Sequence, residues 1–234
     1  MFGANYTQTV RENINFNSTS TQVLDIGCGL DMATEFPVAQ FIGIDKDSLF
    51  PQTIRPANVT FKEGDVRNGL DFPDNTFDLV QIRLFLLAFD MNDWDNFFKE
   101  AYRVLKPNGY IQWMEPKMAD EGNETVRGFS AEVTKMMREK NQDPKIHEHL
   151  EAILSKHGFI PKEKITKAVP LKNHPLSDEF MFIIDISLDY CKPIIIGMYR
   201  LTSDEEFLDF KKNLLESRRS SSAATWSCVA AQKP

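Results

Sequence analysis

Five short apolar runs, each halted by a glycine or a polar residue, constrain what this chain can fold into more than any other feature. Val23-Leu24-Asp25-Ile26 stops at Gly27-Cys28-Gly29, and Phe41-Ile42-Gly43-Ile44 stops at Asp45. Asn58-Val59-Thr60-Phe61 stops before Gly64-Asp65, and Phe77–Ile82 and Tyr110–Met114 complete the set. Runs this short and this apolar read as strands buried on both faces. Such strands belong to a parallel sheet whose crossover connections cover it. The fold class is therefore α/β.

The intervening segments agree. A helix is predicted over Asp93–Leu105, where Trp94, Phe97, Phe98, Ala101 and Leu105 recur at helical spacing. Acids at its start and Lys106 at its end suit the helix dipole. Lys106-Pro107-Asn108-Gly109 then forms a turn into the fifth run. Further helices are predicted over Val126–Lys140 and Lys145–Lys156, the latter closed by His157-Gly158. A strand follows over Ile160–Val169, then helical segments near Ser177–Tyr190 and Ser203–Ser217, and a last strand over Ala224–Gln232. Residues 1–234 read as a single domain, with 1–116 as a cofactor-binding half and 117–234 as a substrate or lid half carrying the last two strands.

Charge and composition narrow the function classes. The net charge of −7 argues against nucleic acid or an anionic membrane as the main partner. The densest basic pairs, Lys211-Lys212 and Arg218-Arg219, read as solvated surface. Three cysteines, Cys28, Cys191 and Cys228, stand far apart with no CxxC, which suits free thiols in a reducing, cytoplasmic setting. The first residues carry no apolar run behind a basic patch, so no secretory signal is expected. Met181–Ile186 and Pro193–Met198 are too short to span a bilayer. The 18 phenylalanines predict a core that is largely aromatic.

Asp25, Asp45 and Asp65 stand at or just past the ends of the first three runs. In an open parallel sheet ligands bind at the carboxyl ends of the strands, where strand order reverses. Asp45 follows Asp25 by 20 residues, the spacing at which a carboxylate accepts hydrogen bonds from ribose hydroxyls. Any one of these acids alone is equally a turn or cap residue. Together, beside glycines, they point to a nucleoside site. A dinucleotide site fits less well. Its third glycine is missing, and Asp31 would set a negative charge against a phosphate, a repulsion of about 4 kcal/mol near a protein surface. Hydrolytic chemistry finds no G-x-S-x-G. His147 and His149 are two apart and so point to different faces of a helix, and no metal site is expected.

At this point the series VLDIGCG, FIGIDKD, VTFKEGDV, FPDNTFDLVQIRLFLLAF and DWDNFFKEAYRVLKPNGYIQWMEP resembles the motif series of class I S-adenosylmethionine-dependent methyltransferases. It is similar in detail to the fungal methyltransferase-domain group. The resemblance is dense over Val23–Pro116 and thins beyond. It implies a Rossmann-like, seven-stranded, mostly parallel sheet whose last strand is antiparallel, with S-adenosylmethionine as cofactor and a small-molecule methyl acceptor. It implies that Gly27, Cys28 and Gly29, with Asp25 before them, meet the methionine half of the cofactor. Asp45, with Lys46 beside it, would hold the ribose. Asp65 would bond the adenine amino group with Val66 beside the ring. Gln81, read as following the fourth strand, would line the methionine side or the transfer site.

Two departures from the pattern stand out. Asp31 replaces the third glycine, and the segment from Gly29 to Pro37 is shorter than the pattern by roughly five residues, or ~7 Å of helix. The segment before Gly3-Ala4-Asn5-Tyr6 is short as well. Arg83 and Glu115 could face the acceptor, and each could equally be a surface ion pair or a structural hydrogen bond. Three readings stay open: an active methyltransferase, a degenerate methyltransferase-fold protein acting as an interaction domain, and a nucleotide-dependent oxidoreductase.

Overall fold

The computed structural model describes residues 5–27, 35–46 and 56–234. Its strands form one seven-stranded sheet in the order β3-β2-β1-β4-β5-β7-β6. They are β1 (Gln22–Ile26), β2 (Gln40–Asp45), β3 (Val59–Glu63), β4 (Phe77–Arg83), β5 (Leu105–Pro116), β6 (Ile160–Pro170) and β7 (Ala223–Gln232). The first five pair in parallel, with Asp25 level with Gly43 on one side and Gln81 on the other. β7 runs against β5: Asn108 donates to the Lys233 carbonyl at one end, and Lys117 donates to the Thr225 carbonyl at the other. The chain winds outward from β1 to β3, then returns to start β4 on the other side of β1. Strand order therefore reverses between β1 and β4.

The chain divides into two compact units. The first comprises Met1–Glu115, Asn141–Thr166 and Ser227–Pro234. One apolar cluster of this unit gathers Tyr6, Val10 and Phe16 of the N-terminal segment against Val23, Phe41, Leu79 and Tyr110 of the sheet. Its short helix α1 (Gln8–Asn13) buries only Val10. A second cluster forms around α2 (Met91–Val104), where the rings of Trp94 and Phe98 lie 4.5 and 4.7 Å from that of Trp113 on β5. This cluster is aromatic, but the buried core of the described residues as a whole is mostly aliphatic, which the phenylalanine content did not lead one to expect. α2 starts where it does because Asp90 and Asp93 form a capping box, each side chain accepting from the other's backbone N–H. α4 (Ile146–Lys156) ends at Gly158, whose φ of +86° a side chain would disfavour.

The second unit comprises Pro116–Lys140 and Lys167–Trp226. It contains α3 (Glu124–Glu139), α5 (Ser177–Tyr190), α6 (Lys192–Tyr199) and α7 (Asp204–Ser221). Leu188, Ile195, Phe207 and Leu214 form its core. Lys211 is nearly buried and bonds Asp185 and Asp189 at 2.7 Å each, tying α7 to α5. Among the described residues no helix is long and apolar enough to cross a membrane.

Candidate active site

A cleft of about 610 Å³ opens at the carboxyl ends of β1 to β4. Its position follows from the topology. In an open parallel sheet a crevice forms at the carboxyl ends of the strands where strand order reverses. Backbone hydrogen bonds set the rim. Gly27 donates to the Ile44 carbonyl and Gly64 donates to the Asp45 carbonyl, both at 2.9 Å, so the ends of β1, β2 and β3 are fixed edge to edge. Gly27 has φ +68°, a conformation that costs a residue with a Cβ about 1–2 kcal/mol.

Of the acids expected at the site, Asp45 and Asp65 line the cleft, with Lys46, Val66 and Arg67 between and beside them. Asp45 is the last residue of β2. Asp65 caps the single helical turn Val66–Asn68 and is gripped by Arg67, whose Nε donates to both carboxylate oxygens at 2.9 and 3.0 Å. That guanidinium holds the Asp65 carboxyl below the usual carboxylate range, chiefly by hydrogen bonding. Nothing in the sequence signalled this claim on Asp65, because a pair two residues apart meets only when a turn folds it together.

Asp25 is buried behind the cleft, 4% exposed, and is not part of its wall. It reaches the cleft through Arg83, the last residue of β4, whose Nη2 lies 3.8 Å from an Asp25 oxygen. Tyr6 shares this neighbourhood. Burial, then the Asp25 charge, pushes its phenol well above the usual range, and its hydroxyl has no hydrogen-bond partner among the described residues. Cys28 and Gly29 lie outside the described residues.

Gln81 is not where the sequence reading put it. It lies within β4, is fully buried, and does not line the cleft. β4 continues to Arg83, so the two-residue alternation of a strand places Gln81 level with Asp25 and Gln112. There its amide oxygen accepts from Gln112 Nε2 at 3.2 Å, while Gln112 also bonds Thr7 N and Asn5 O of the N-terminal segment.

The far wall is the loop after β4, containing Leu84, Phe85, Leu87, Ala88 and Phe89. Leu84 has φ +66°, an unfavourable conformation for leucine, and three hydrogen bonds hold it in place. Leu84 N donates to the Met114 carbonyl, and Phe85 N and Leu86 N each donate to a different oxygen of Glu115 at 3.0 Å. Trp113 Nε1 donates to Glu115 as well. Glu115 is completely buried, which pushes its carboxyl up to about 7 against the pull of these three donors. It neither faces an acceptor nor forms a surface ion pair. It clamps the cleft loop to β5.

Comparison with known proteins bears on this geometry. Residues 24–112 match the family described as a methyltransferase domain. The chain is 26% identical over 172 residues to "Secondary metabolism regulator LAE1" of Cochliobolus heterostrophus, covering 66% of this chain and 54% of that protein. It is 25% identical over 165 residues to "Methyltransferase str3" of Strobilurus tenacellus, covering 66% of this chain and 58% of that protein. The chain thus spans little more than half the length of these two relatives. Among solved structures it resembles phosphoethanolamine N-methyltransferase 2 of Haemonchus contortus, bound to phosphomonomethylethanolamine and S-adenosylhomocysteine. That likeness has a TM-score of 0.57 at 21% identity and covers 97% of this chain and 52% of the other. A SAM-dependent methyltransferase of Methanosarcina mazei matches with a TM-score of 0.57 at 15% identity, over 98% of this chain and 99% of the other.

Proposed function

We propose that this chain is a class I S-adenosylmethionine-dependent methyltransferase whose cleft holds S-adenosylmethionine and which methylates a small-molecule acceptor, a reading supported by the match of residues 24–112 to a methyltransferase domain. The observation that carries this reading is the meeting of Asp45, Asp65 and Val66 on one wall of a cleft at the strand-order reversal.

The residues present fit the adenosine part of that ligand. The cleft, at about 610 Å³, is of the size that encloses small ligands. Asp45 offers two acceptor oxygens to two ribose hydroxyl donors. Asp65 keeps acceptor sites beyond those Arg67 uses, since a carboxylate has about four lone-pair positions, and its side chain is 28% exposed. Val66 gives an apolar edge for a purine. Gly27 leaves bare backbone at the bottom of the cleft, where Phe85 packs against it.

S-adenosylmethionine, when bound, supplies an electrophilic methyl group on a sulfonium. The chain's own residues then need to hold the two reactants in line and close together, the larger part of what such a transfer requires. The clamp of Glu115 on the Phe85-Leu86 backbone serves that end by fixing the far wall. A base is needed only where the acceptor's nucleophile carries a proton.

A second reading, a domain that binds the cofactor without turning it over, is favoured by Asp31 standing where the third glycine belongs. Calorimetric titration separates the possibilities. S-adenosylmethionine and S-adenosylhomocysteine are expected to bind in the micromolar to sub-millimolar range, weakened about tenfold or more by Asp45→Ala. Methyl transfer to a small-molecule pool distinguishes the first reading from the second. Tight binding of NAD alone would replace both with nucleotide-dependent redox chemistry.

A further inference from the structure

We propose that Arg83 is the anion-binding group of this cleft and takes the amino-acid carboxylate of the S-adenosyl ligand, an inference that rests on the cofactor reading above. Ile26 and Ile82 are level with each other in the parallel register, so Gly27 and Arg83 leave the sheet side by side at the reversal point. Arg83 lines the cleft, with its side chain 21% exposed. A guanidinium has five N–H donors in a planar fork matched to a carboxylate. Among the described residues its one polar contact is the Asp25 carboxylate at 3.8 Å, too long for a hydrogen bond. Asp25 thus steadies the charge electrostatically from behind and leaves the donors for a ligand.

The other cations of the cleft are placed for different tasks. Arg67 is committed to Asp65, and Lys46 follows Asp45 at the end of β2. Both stand on the adenosine side. Of the cations that line the cleft among the described residues, Arg83 is the one that rises beside Gly27. The sequence gives a reason for a side chain to do this work. In sequence Asp31 replaces the third glycine, a negative charge that a ligand carboxylate tolerates only with a cation to offset it.

The test compares ligands that differ in the carboxylate: S-adenosylhomocysteine, decarboxylated S-adenosylmethionine, and methylthioadenosine, which lacks the whole amino-acid end. Binding is read by calorimetry. The wild type is expected to bind S-adenosylhomocysteine about tenfold or more tighter than methylthioadenosine, the scale of a charge-assisted hydrogen bond, with decarboxylated S-adenosylmethionine close to the weaker ligand. Arg83→Gln is expected to bring that ratio near one while methylthioadenosine binds as before. Arg83→Lys keeps the charge beside Asp25 but loses the fork, so its ratio is expected between the two.

An unchanged ratio in Arg83→Lys overturns the proposal even if Arg83→Gln fails to fold. An unchanged ratio in a folded Arg83→Gln does the same and leaves a carboxylate on the acceptor as the remaining source for this chemistry. Wild-type protein that binds methylthioadenosine and S-adenosylhomocysteine equally overturns the role of Arg83 but not the adenosine site. Wild-type protein that binds none of the three overturns both.

Discussion

The ring of Phe85 rests on Gly27 so closely that a Cβ added there would lie 2.6 Å from its Cε2 atom. The two residues come from loops on opposite sides of the strand-order reversal, so their packing closes the bottom of the cleft. Gly27→Ala must therefore move the ring and also hold an alanine at φ +68°. The expected loss is about 1–2 kcal/mol from the backbone conformation, plus whatever the displaced ring gives up. Urea unfolding measures it. Adding Phe85→Ala to Gly27→Ala should relieve the steric part and leave the backbone part. Full stability in Gly27→Ala would show that the two loops are not packed in this way.

Glu115 couples the cleft loop to pH. Its carboxyl titrates near 7 in the folded chain, against 4.5 for an ordinary glutamate, because burial disfavours its charge. Between these values the folded state binds more protons than the unfolded one, so stability falls as pH rises from about 4.5 to about 7. The cost is complete above that window and absent below it, and amounts to a few kcal/mol by order of magnitude. Glu115→Gln should flatten this slope in urea unfolding measured across pH. It should also loosen the loop, since an amide presents one acceptor to three donors. A slope that is the same in both proteins would exclude Glu115 as its source.

Arg67 and Asp65 form a half-exposed pair, with side chains 46% and 28% exposed. Pairs of this kind contribute about 0–1 kcal/mol to stability, so Arg67→Ala should fold almost as well as the wild type. Its effect should appear on the carboxyl. Without the guanidinium, the Asp65 pKa is expected to rise back toward the ordinary value, which carboxyl NMR follows directly. No rise would mean that the pair does not form in solution.

Lys233, the penultimate residue of the sequence, ties three parts of the first unit together. Its ammonium donates to the carbonyls of Tyr102 and Leu105, 2.7 Å each, and to Asn75, and it is 9% exposed. It therefore closes the end of α2 and the start of β5 at once. Lys233→Met removes these donors and leaves buried acceptors unpaired, an expected cost of about 1–3 kcal/mol in thermal or urea unfolding. A change within error would show that water replaces the ammonium.

The strands were the most legible part of the sequence, since strands buried on both faces leave continuous apolar runs that end where the chain must turn. The final strand and the helices over 93–105 and 145–156 were legible from spacing and from His157-Gly158. α6 was not. Its run Pro193-Ile194-Ile195-Ile196 has β-branched residues and no helical period, and in the fold Ile195 packs in one cluster with Phe207 and Leu214. α1 was hidden because its single buried residue is Val10. At the site, Asp45 and Asp65 could be read because a strand end and a glycine mark each. Gln81 was given its cleft role by the resemblance although it lies inside the apolar run Phe77–Ile82; in the sheet it is buried level with Asp25 and Gln112. The Glu115 clamp and the Arg67 pairing depend on folded distances that spacing does not encode.

A crystal structure with S-adenosylhomocysteine tests the adenosine site most directly. The expected result is ribose hydroxyls within hydrogen-bonding distance of Asp45 and the purine between Val66 and the loop after β4. Ligand bound elsewhere, or a cleft in which Asp45 makes no contact with the ribose, would contradict it.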